Sequence, residues 1–180
     1  PGGMCDLRLD QPSETLRATV LGASTQTVTL SGSTIWAERQ ILPMKNVPVI
    51  RPALPTDLNP DSVSKGIADA VRRWDVNTAT DLFAIALELN RPLDYTSLTQ
   101  LAAGLQDFSN TMPADRPLVI IIERDYAQAL GQTVKGLAPS RSLLVIDQVG
   151  LSEGDYIDVG TPLMDGRVVP LSVKTLIFYH

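Results

Sequence analysis

The sequence holds little of the chemistry on which many catalytic sites rest. Its 180 residues include one cysteine, Cys5, and one histidine, His180. An intrachain disulfide is therefore impossible, and a zinc site built from cysteine and histidine is excluded. Because His180 is the last residue, a Ser-His-Asp or Cys-His mechanism would depend on an imidazole at a chain end, where order is poor.

Positive charge and aromatic side chains are also scarce. Fifteen Lys and Arg stand against twenty Asp and Glu, which gives a formal net charge of −5. A field of that sign repels phosphodiester backbones, and nine aromatic residues are too few for a base-stacking platform. We therefore expect no nucleic-acid partner. No apolar run approaches the roughly 20 residues of a membrane span, so we expect no membrane contact and a cytoplasmic location.

The common phosphate-binding loops are missing. Neither G-x-x-x-x-G-K-[ST] nor G-x-G-x-x-G occurs. Gly22, Ala23 and Ser24 follow an apolar run, and they fit either a backbone approach to a ligand or a plain tight turn. Ser31-Gly32-Ser33 fits an anion site, but a two-residue hairpin turn between two β-rich runs explains the same residues without a ligand.

Element patterning divides the chain into three parts. Residues 1–40 are β-rich, with strand-like runs at 15–21, 27–30 and 34–38. Five prolines between residues 41 and 60 indicate a linker, with room for a short edge strand at 46–50. Residues 61–180 read as an α/β module.

Within that module, apolar runs alternate with amphipathic helices. Continuous Val, Ile and Leu runs between helices are typical of parallel strands that are covered on both faces. Two later runs predict a C-terminal β-hairpin. The predicted fold class is thus α/β with a mostly parallel sheet: strands at 81–89, 117–123, 142–147, 155–159 and 168–178, and helices at 63–74, 94–109 and 126–137, capped by Asp61 or Ser62, by Asp94 and by Asp125.

Three carboxylates stand where predicted strands end. Glu88, Glu123 and Asp147 each lie at the C-terminal end of an apolar run. In an open parallel sheet these ends share one edge, where ligands usually bind, and three carboxylates there could hold Mg²⁺. The plainer reading is that polar residues appear wherever a buried strand reaches the surface. A Mg²⁺-dependent phosphotransfer or hydrolase domain is the alternative function that this pattern leaves open.

Two blocks resemble a known family. LRATVLGASTQTVTLSGSTIW (residues 16–36) and GDYIDVGTPLMDGRVVPLSVK (residues 154–174) resemble the C-terminal part of the EutA family of ethanolamine ammonia-lyase reactivating factors. The order and spacing of both blocks match, and the stretch between them fits the hydrophobic plan of the family.

The resemblance implies an actin/Hsp70-like ATPase. Such factors use ATP and Mg²⁺ to release damaged cobalamin from ethanolamine ammonia-lyase, in effect as chaperones of ethanolamine utilisation and often in a bacterial microcompartment. The chain does not open with the Asp-x-Gly-Thr loop of the family, and the Asp-Ile-Gly-Gly-Gly loop does not occur in it. We therefore expect a non-catalytic C-terminal piece without a cofactor of its own, in which residues 1–40 are the remnant of an ATPase lobe.

The same resemblance limits the candidate site residues. It makes Gly22, Ala23 and Ser24 the candidates for one edge of a nucleotide site and carries over no catalytic residue. The implied partner is ethanolamine ammonia-lyase. Because loops carry recognition while buried strands carry the fold, we expect the apolar, proline-containing turns at 160–167 to be the contact surface, although a solvated hairpin end explains the same residues. A homodimer and a small-molecule module that binds part of cobalamin are left open.

Overall fold

The computed structural model describes residues 24–30, 35–163 and 168–176. Its strands are β1 (Ser24–Leu30), β2 (Ile35–Ala37), β3 (Met44–Ile50), β4 (Ala84–Leu87), β5 (Leu118–Ile122), β6 (Leu143–Asp147), β7 (Tyr156–Val159) and β8 (Pro170–Leu176). Its helices are α1 (Pro60–Arg73), α2 (Tyr95–Ser109) and α3 (Ala127–Leu137), with a 3-10 turn at Arg39–Ile41. None of the described helices is both long and apolar enough to cross a bilayer.

The strands form one mixed sheet in the order β1-β8-β7-β3-β4-β5-β6-β2. The pairs β3–β4, β4–β5 and β5–β6 are parallel, and every described residue of β4, β5 and β6 is buried. The other neighbouring pairs are antiparallel, including the predicted C-terminal pair of β7 and β8. The α/β class and the doubly covered parallel strands are confirmed, whereas a mostly parallel sheet is wrong.

Two strands lie where the sequence did not predict them. The strand expected at residues 46–50 exists, but it lies inside the sheet between β4 and β7 rather than at an edge. β1 and β2 do not form a hairpin, because β1 pairs with β8 and β2 pairs with β6. The division into a β segment, a linker and a module stays a prediction, as does the run at 15–21, which lies outside the described residues.

The sheet must curl, because its two edge strands are close neighbours in the chain. Five Cα–Cα steps join Leu30 to Ile35, and they reach at most about 18 Å. In a flat sheet, seven inter-strand spacings of about 4.8 Å would put the two edges about 34 Å apart. Curling gives the sheet an inner face with its own apolar core.

Two cores follow from this shape. All three helices pack on one face, where side chains such as Ile67, Leu101 and Leu130 meet Ile85 and Ile120 of the sheet. The inner face is filled by the alternate residues of the same strands and by the strands that curl over them. That second core contains Val49, Ala84, Ala86, Val119, Ile121, Leu144, Ile146, Val149, Leu151, Ile157, Val159, Val169 and Leu171.

The N-terminal caps of α1 and α2 can be compared with the caps that the sequence predicts. The Asp94 side chain accepts a hydrogen bond from the Ser97 backbone N–H at 2.7 Å, which confirms the predicted cap of α2. Helix α1 instead begins at Pro60, and its cap is Asn59, whose Oδ1 accepts from the Ser62 N–H at 2.9 Å. The predicted cap by Asp61 or Ser62 is therefore wrong, since the helix starts earlier than its apolar stripe.

Candidate functional site

The carboxyl edge of the parallel strands is where the sequence predicts a site. Glu88 directly follows β4, Glu123 directly follows β5, and Asp147 is the last residue of β6. The structure therefore puts all three carboxylates at this edge, as expected. Among the described residues, however, no three His, Cys, Asp or Glu side chains are close enough to hold a metal ion together.

Glu88 is held by a positive partner that the sequence analysis missed. The Arg51 guanidinium, just beyond β3, donates a hydrogen bond to the Glu88 carboxylate and pairs with it. The two side chains share a narrow cleft with Glu123, and that cleft has room for about 10 Å³, roughly one water molecule. Val149 and Leu151 line the same cleft. The chain itself thus fills most of the position that ligands take in open parallel sheets.

Asp147 has a different environment from the other two carboxylates. It is fully buried, and its Oδ2 accepts a hydrogen bond of 3.0 Å from the Ala127 backbone N–H at the first turn of α3. Burial raises the pKa of Asp147, the Ala127 N–H lowers it, and the nearby Asp125 carboxylate raises it further. Its Oδ1 has no hydrogen-bond partner among the described residues.

This arrangement corrects the predicted cap of helix α3. Tyr126 is the N-cap residue and its side chain makes no capping hydrogen bond. The N–H that Asp125 was expected to satisfy is taken by Asp147, twenty residues further along the chain. The geometry therefore gives Asp147 a clear role in joining β6 to α3, and Asp125 faces it as a second acid.

The predicted nucleotide edge lies mostly outside the described residues. Gly22 and Ala23 are not described, and Ser24 is described only as the first backbone position of β1, opposite Leu176. Their role stays a prediction. The predicted contact surface at 160–167 is described as far as Leu163, which is half exposed and bridges to Val168.

The cavities beside this edge differ in size, and one of about 350 Å³ is lined by Asp125, Tyr126 and Gln132. One of about 200 Å³ lies between the loops that follow β3 and β4, with mostly apolar walls such as Leu54, Leu58 and Leu93. Sites for drug-sized ligands typically measure about 300–1,000 Å³ and bury most of the ligand. The cavity of about 200 Å³ is therefore too small to enclose a molecule as large as cobalamin.

A polar junction that sequence reasoning missed links α1 to the β6–β7 loop. The Glu153 carboxylate accepts a hydrogen bond from the Trp74 indole at 2.8 Å and one from Arg73 at 2.9 Å. These contacts lower the pKa of Glu153, with the Trp74 hydrogen bond as the largest cause. The three residues are up to 80 positions apart, so no local pattern could have found them.

Comparison with known proteins places this fold in a family. The family model described as "Ethanolamine utilisation protein EutA" matches residues 3–179. The chain is 40% identical over 180 residues to the ethanolamine ammonia-lyase reactivase EutA of Salmonella typhimurium (strain LT2). It is 38% identical over 173 residues to the protein of the same name from Escherichia coli (strain K12).

The alignments cover nearly all of this chain but only a minor part of each relative. Each alignment covers 96% of this chain and 36% of the relative, so the chain spans about a third of the length of these curated relatives. No solved structure gives a significant match. Because the family model matches nearly the whole chain, this chain belongs to the family of ethanolamine utilisation protein EutA.

Proposed function

We propose that this chain is the binding region of a reactivase that acts on ethanolamine ammonia-lyase. The observation that carries the proposal is the match of nearly the whole chain to a family whose two curated relatives are named as reactivases of that enzyme. The proposal includes release of damaged cobalamin driven by ATP and Mg²⁺ in the whole protein, in the cytoplasm and in association with a microcompartment.

The chemistry of the described region supports binding rather than catalysis. At the carboxyl edge of the sheet, Glu88 is paired with Arg51, and Asp147 is buried beneath helix α3. Val149 and Leu151 occupy the edge itself. A scaffold with two packed cores is suited to presenting surfaces, since the loops on such a scaffold carry recognition.

The division of labour follows from how a chaperone-like exchange works. Exchange requires a factor whose affinity for two states of its target changes with the bound nucleotide. In-line phosphoryl transfer requires groups that hold the phosphates and Mg²⁺, and the sequence has neither G-x-x-x-x-G-K-[ST], nor G-x-G-x-x-G, nor the Asp-Ile-Gly-Gly-Gly loop. In our proposal this chain binds the lyase, and the nucleotide-dependent switch belongs to the rest of the reactivase.

Binding and reactivation by the purified chain test this proposal together. We expect the chain to bind ethanolamine ammonia-lyase in calorimetry, with an affinity that is the same with and without ATP and Mg²⁺. We also expect no ammonia release from inactivated holoenzyme given fresh adenosylcobalamin, ATP, Mg²⁺ and this chain. The full-length reactivase is the positive control. Reactivation or ATP hydrolysis by the chain alone would overturn the division, and failure to bind the lyase would overturn the binding role.

A further inference from the structure

A surface groove lies apart from the carboxylates at the carboxyl edge of the parallel strands. A groove of about 510 Å³ opens where helix α1 ends, between the loop that follows the helix and strands β3 and β7. We call it the aromatic–acidic groove, after Trp74, Asp75, Asp81 and Tyr156 in its walls. Neither the proposed function nor any sequence motif accounts for it.

The charge of the aromatic–acidic groove is of one sign. Asp75 and Asp81 are the charged residues among the described side chains that line it. Asp75 is exposed and forms no ion pair with any described residue. The two arginines at the end of α1 have other partners: Arg72 pairs with Asp69 at 3.1 Å, and Arg73 pairs with Glu153 at 2.9 Å. Of the two carboxylates, Asp81 has the Arg116 charge near enough to lower its pKa, as the smallest cause, and Lys174 donates to the lining residue Asn46 at 3.0 Å. Asp75 is therefore the lining carboxylate that no described ion pair compensates.

The negative charge is also fixed in place. Asp81 accepts hydrogen bonds of 2.9 Å from the Asn77 backbone N–H and from the Thr80 hydroxyl. The hydrogen bond from Asn77 is the largest cause that lowers the pKa of Asp81, and the hydrogen bond from Thr80 is the second largest. This carboxylate therefore stays ionised into the acid range. The C-terminal end of α1 adds the partial negative charge of the helix dipole. A cation that enters the groove thus meets preset groups.

The aromatic side of the groove has the matching chemistry. Trp74 is 39% exposed although its indole N–H is bound to Glu153 at 2.8 Å, so the ring is both oriented and accessible. Tyr156 is partly buried and lines the same groove. Tryptophan is the strongest of the aromatic side chains in cation–π contacts, and arginine makes such contacts more often than lysine does.

We propose that the aromatic–acidic groove binds an arginine side chain presented by a partner protein. The guanidinium stacks on the ring of Trp74 and donates hydrogen bonds to the Asp75 carboxylate. Arginine fits better than lysine because its planar group stacks and pairs at the same time, whereas an ammonium is a compact and strongly hydrated point charge. The inference names a contact chemistry beyond the proposed function and does not depend on it.

A short peptide tests the groove without any knowledge of the partner. The probe is acetyl-Gly-Arg-Gly-amide, and its control carries citrulline, which keeps the shape of arginine without the charge. In NMR titrations of the 180-residue chain we expect saturable shifts of the Trp74 indole N–H, assigned with Trp74→Phe, and of the Asp75 amide. The citrulline peptide should bind about tenfold more weakly, and added salt should weaken the arginine peptide.

A variant pair locates the contact. Asp75→Asn should weaken the arginine peptide about two- to fivefold, because it removes one exposed ion pair. Asn is suited to this position, since Asp75 has a φ of 51° and Asn tolerates that region. Asp107→Asn, an exposed change on α2, should leave binding unchanged. Equal binding of the two peptides, equal effects of the two variants, or no binding would each refute the proposal, and the peptide comparison needs no variant.

Discussion

At the residue scale, Arg141 holds together a part of the chain that has no regular structure. It is 8% exposed, and its guanidinium donates hydrogen bonds to the backbone carbonyls of Ser109, Met112, Pro113 and Arg116. These carbonyls belong to the end of α2 and the loop that leads into β5. The Ser109 and Pro113 carbonyls also accept from the Met112 and Arg116 backbone N–H groups at 3.1 Å. The guanidinium therefore supplies the hydrogen bonds of the Met112 and Arg116 carbonyls and a second bond to each of the other two.

We predict that Arg141→Lys lowers the free energy of unfolding by about 2–4 kcal/mol, because one ammonium cannot reach four carbonyls and unpaired buried polar groups are costly. Urea denaturation followed by circular dichroism measures the loss. Arg124→Lys is the matched control, since Arg124 is exposed and should show no more than about 0.5 kcal/mol of change. Similar values for both variants would contradict the role given to Arg141.

Asp147 makes stability depend on pH in an unusual direction for a carboxylate. Burial, as the largest cause, and the Asp125 charge raise its pKa above the ordinary 3.8, so folding favours the protonated acid. The stability that this group contributes is therefore fully present below pH 3.8 and is lost as the pH rises through the raised pKa. The loss reflects the cost of a buried anion that has only one hydrogen bond and faces a second acid.

We predict that Asp147→Asn removes this fall in stability. The Asn carbonyl oxygen can still accept from the Ala127 N–H, and its NH₂ group can donate toward Asp125 without any charge. Denaturant melts between pH 4 and pH 8 should show a flatter profile than the parent chain, while Asp107→Asn keeps the parental slope. Asp147→Ala should cost about 0.5–2 kcal/mol at pH 4, since the cap itself is lost. A profile unchanged by Asp147→Asn would contradict the assignment.

At the element scale, helix α3 carries two glycines with opposite consequences. A Cβ at Gly131 would lie 2.5 Å from the Trp36 Cβ, so Gly131 is what lets edge strand β2 pack against the helix. Nearby, the Lys135 ammonium binds the Glu38 carboxylate, just beyond β2, and the Arg141 carbonyl, just before β6. These contacts link α3 to the same edge of the sheet. At Gly136, a Cβ would meet nothing within 4 Å.

We predict opposite signs for two identical substitutions in this helix. Gly131→Ala should lower the free energy of unfolding by about 1–2 kcal/mol, because the clash with Trp36 outweighs the better helix propensity of alanine. Gly136→Ala should raise it by about 0.5 kcal/mol, because only the propensity changes. Thermal melts of the two variants give the comparison. Destabilisation of equal size in both would show that β2 does not pack against Gly131.

At the scale of the whole molecule, stability is concentrated where the two cores meet. Strand β5 pairs with β4 on one side and with β6 on the other. Its Ile120 and Ile122 side chains pack in the helix-side core, and its Val119 and Ile121 side chains pack in the inner core. Strand β2 is three residues long and lies at an edge, with β6 as its only described neighbour. The sheet should therefore open from its edges before its centre does.

We predict that the amides of β5 exchange with solvent only through global unfolding, while those of β2 exchange by local opening. Hydrogen exchange followed by NMR should give β5 an opening free energy equal to that from denaturant melts, and β2 a clearly smaller one. Gly131→Ala should speed exchange in β2 and leave the ranking of the two strands unchanged. Equal protection of both strands would mean that the sheet opens as one unit.

Local composition was enough to determine the elements near the centre of the fold. The continuous apolar runs became β4, β5 and β6 because a strand buried on both faces needs no polar alternation, and this property lies within a few residues. The cap of α2 by Asp94 was equally readable, since donor and acceptor are three residues apart. Membership of the family was likewise readable from two blocks of sequence.

Only the tertiary structure decided which distant residues meet. Asp147 caps a helix that begins twenty residues earlier, and a proline-rich stretch holds β3 because β7 returns to pair with it. β1 and β2 separate because each finds a longer-range partner, in β8 and β6. The three carboxylates share an edge without sharing a site, since Arg51 and helix α3 each claim one of them. Such pairings depend on the curl of the sheet and on packing at long sequence separation, which no local pattern of side chains encodes.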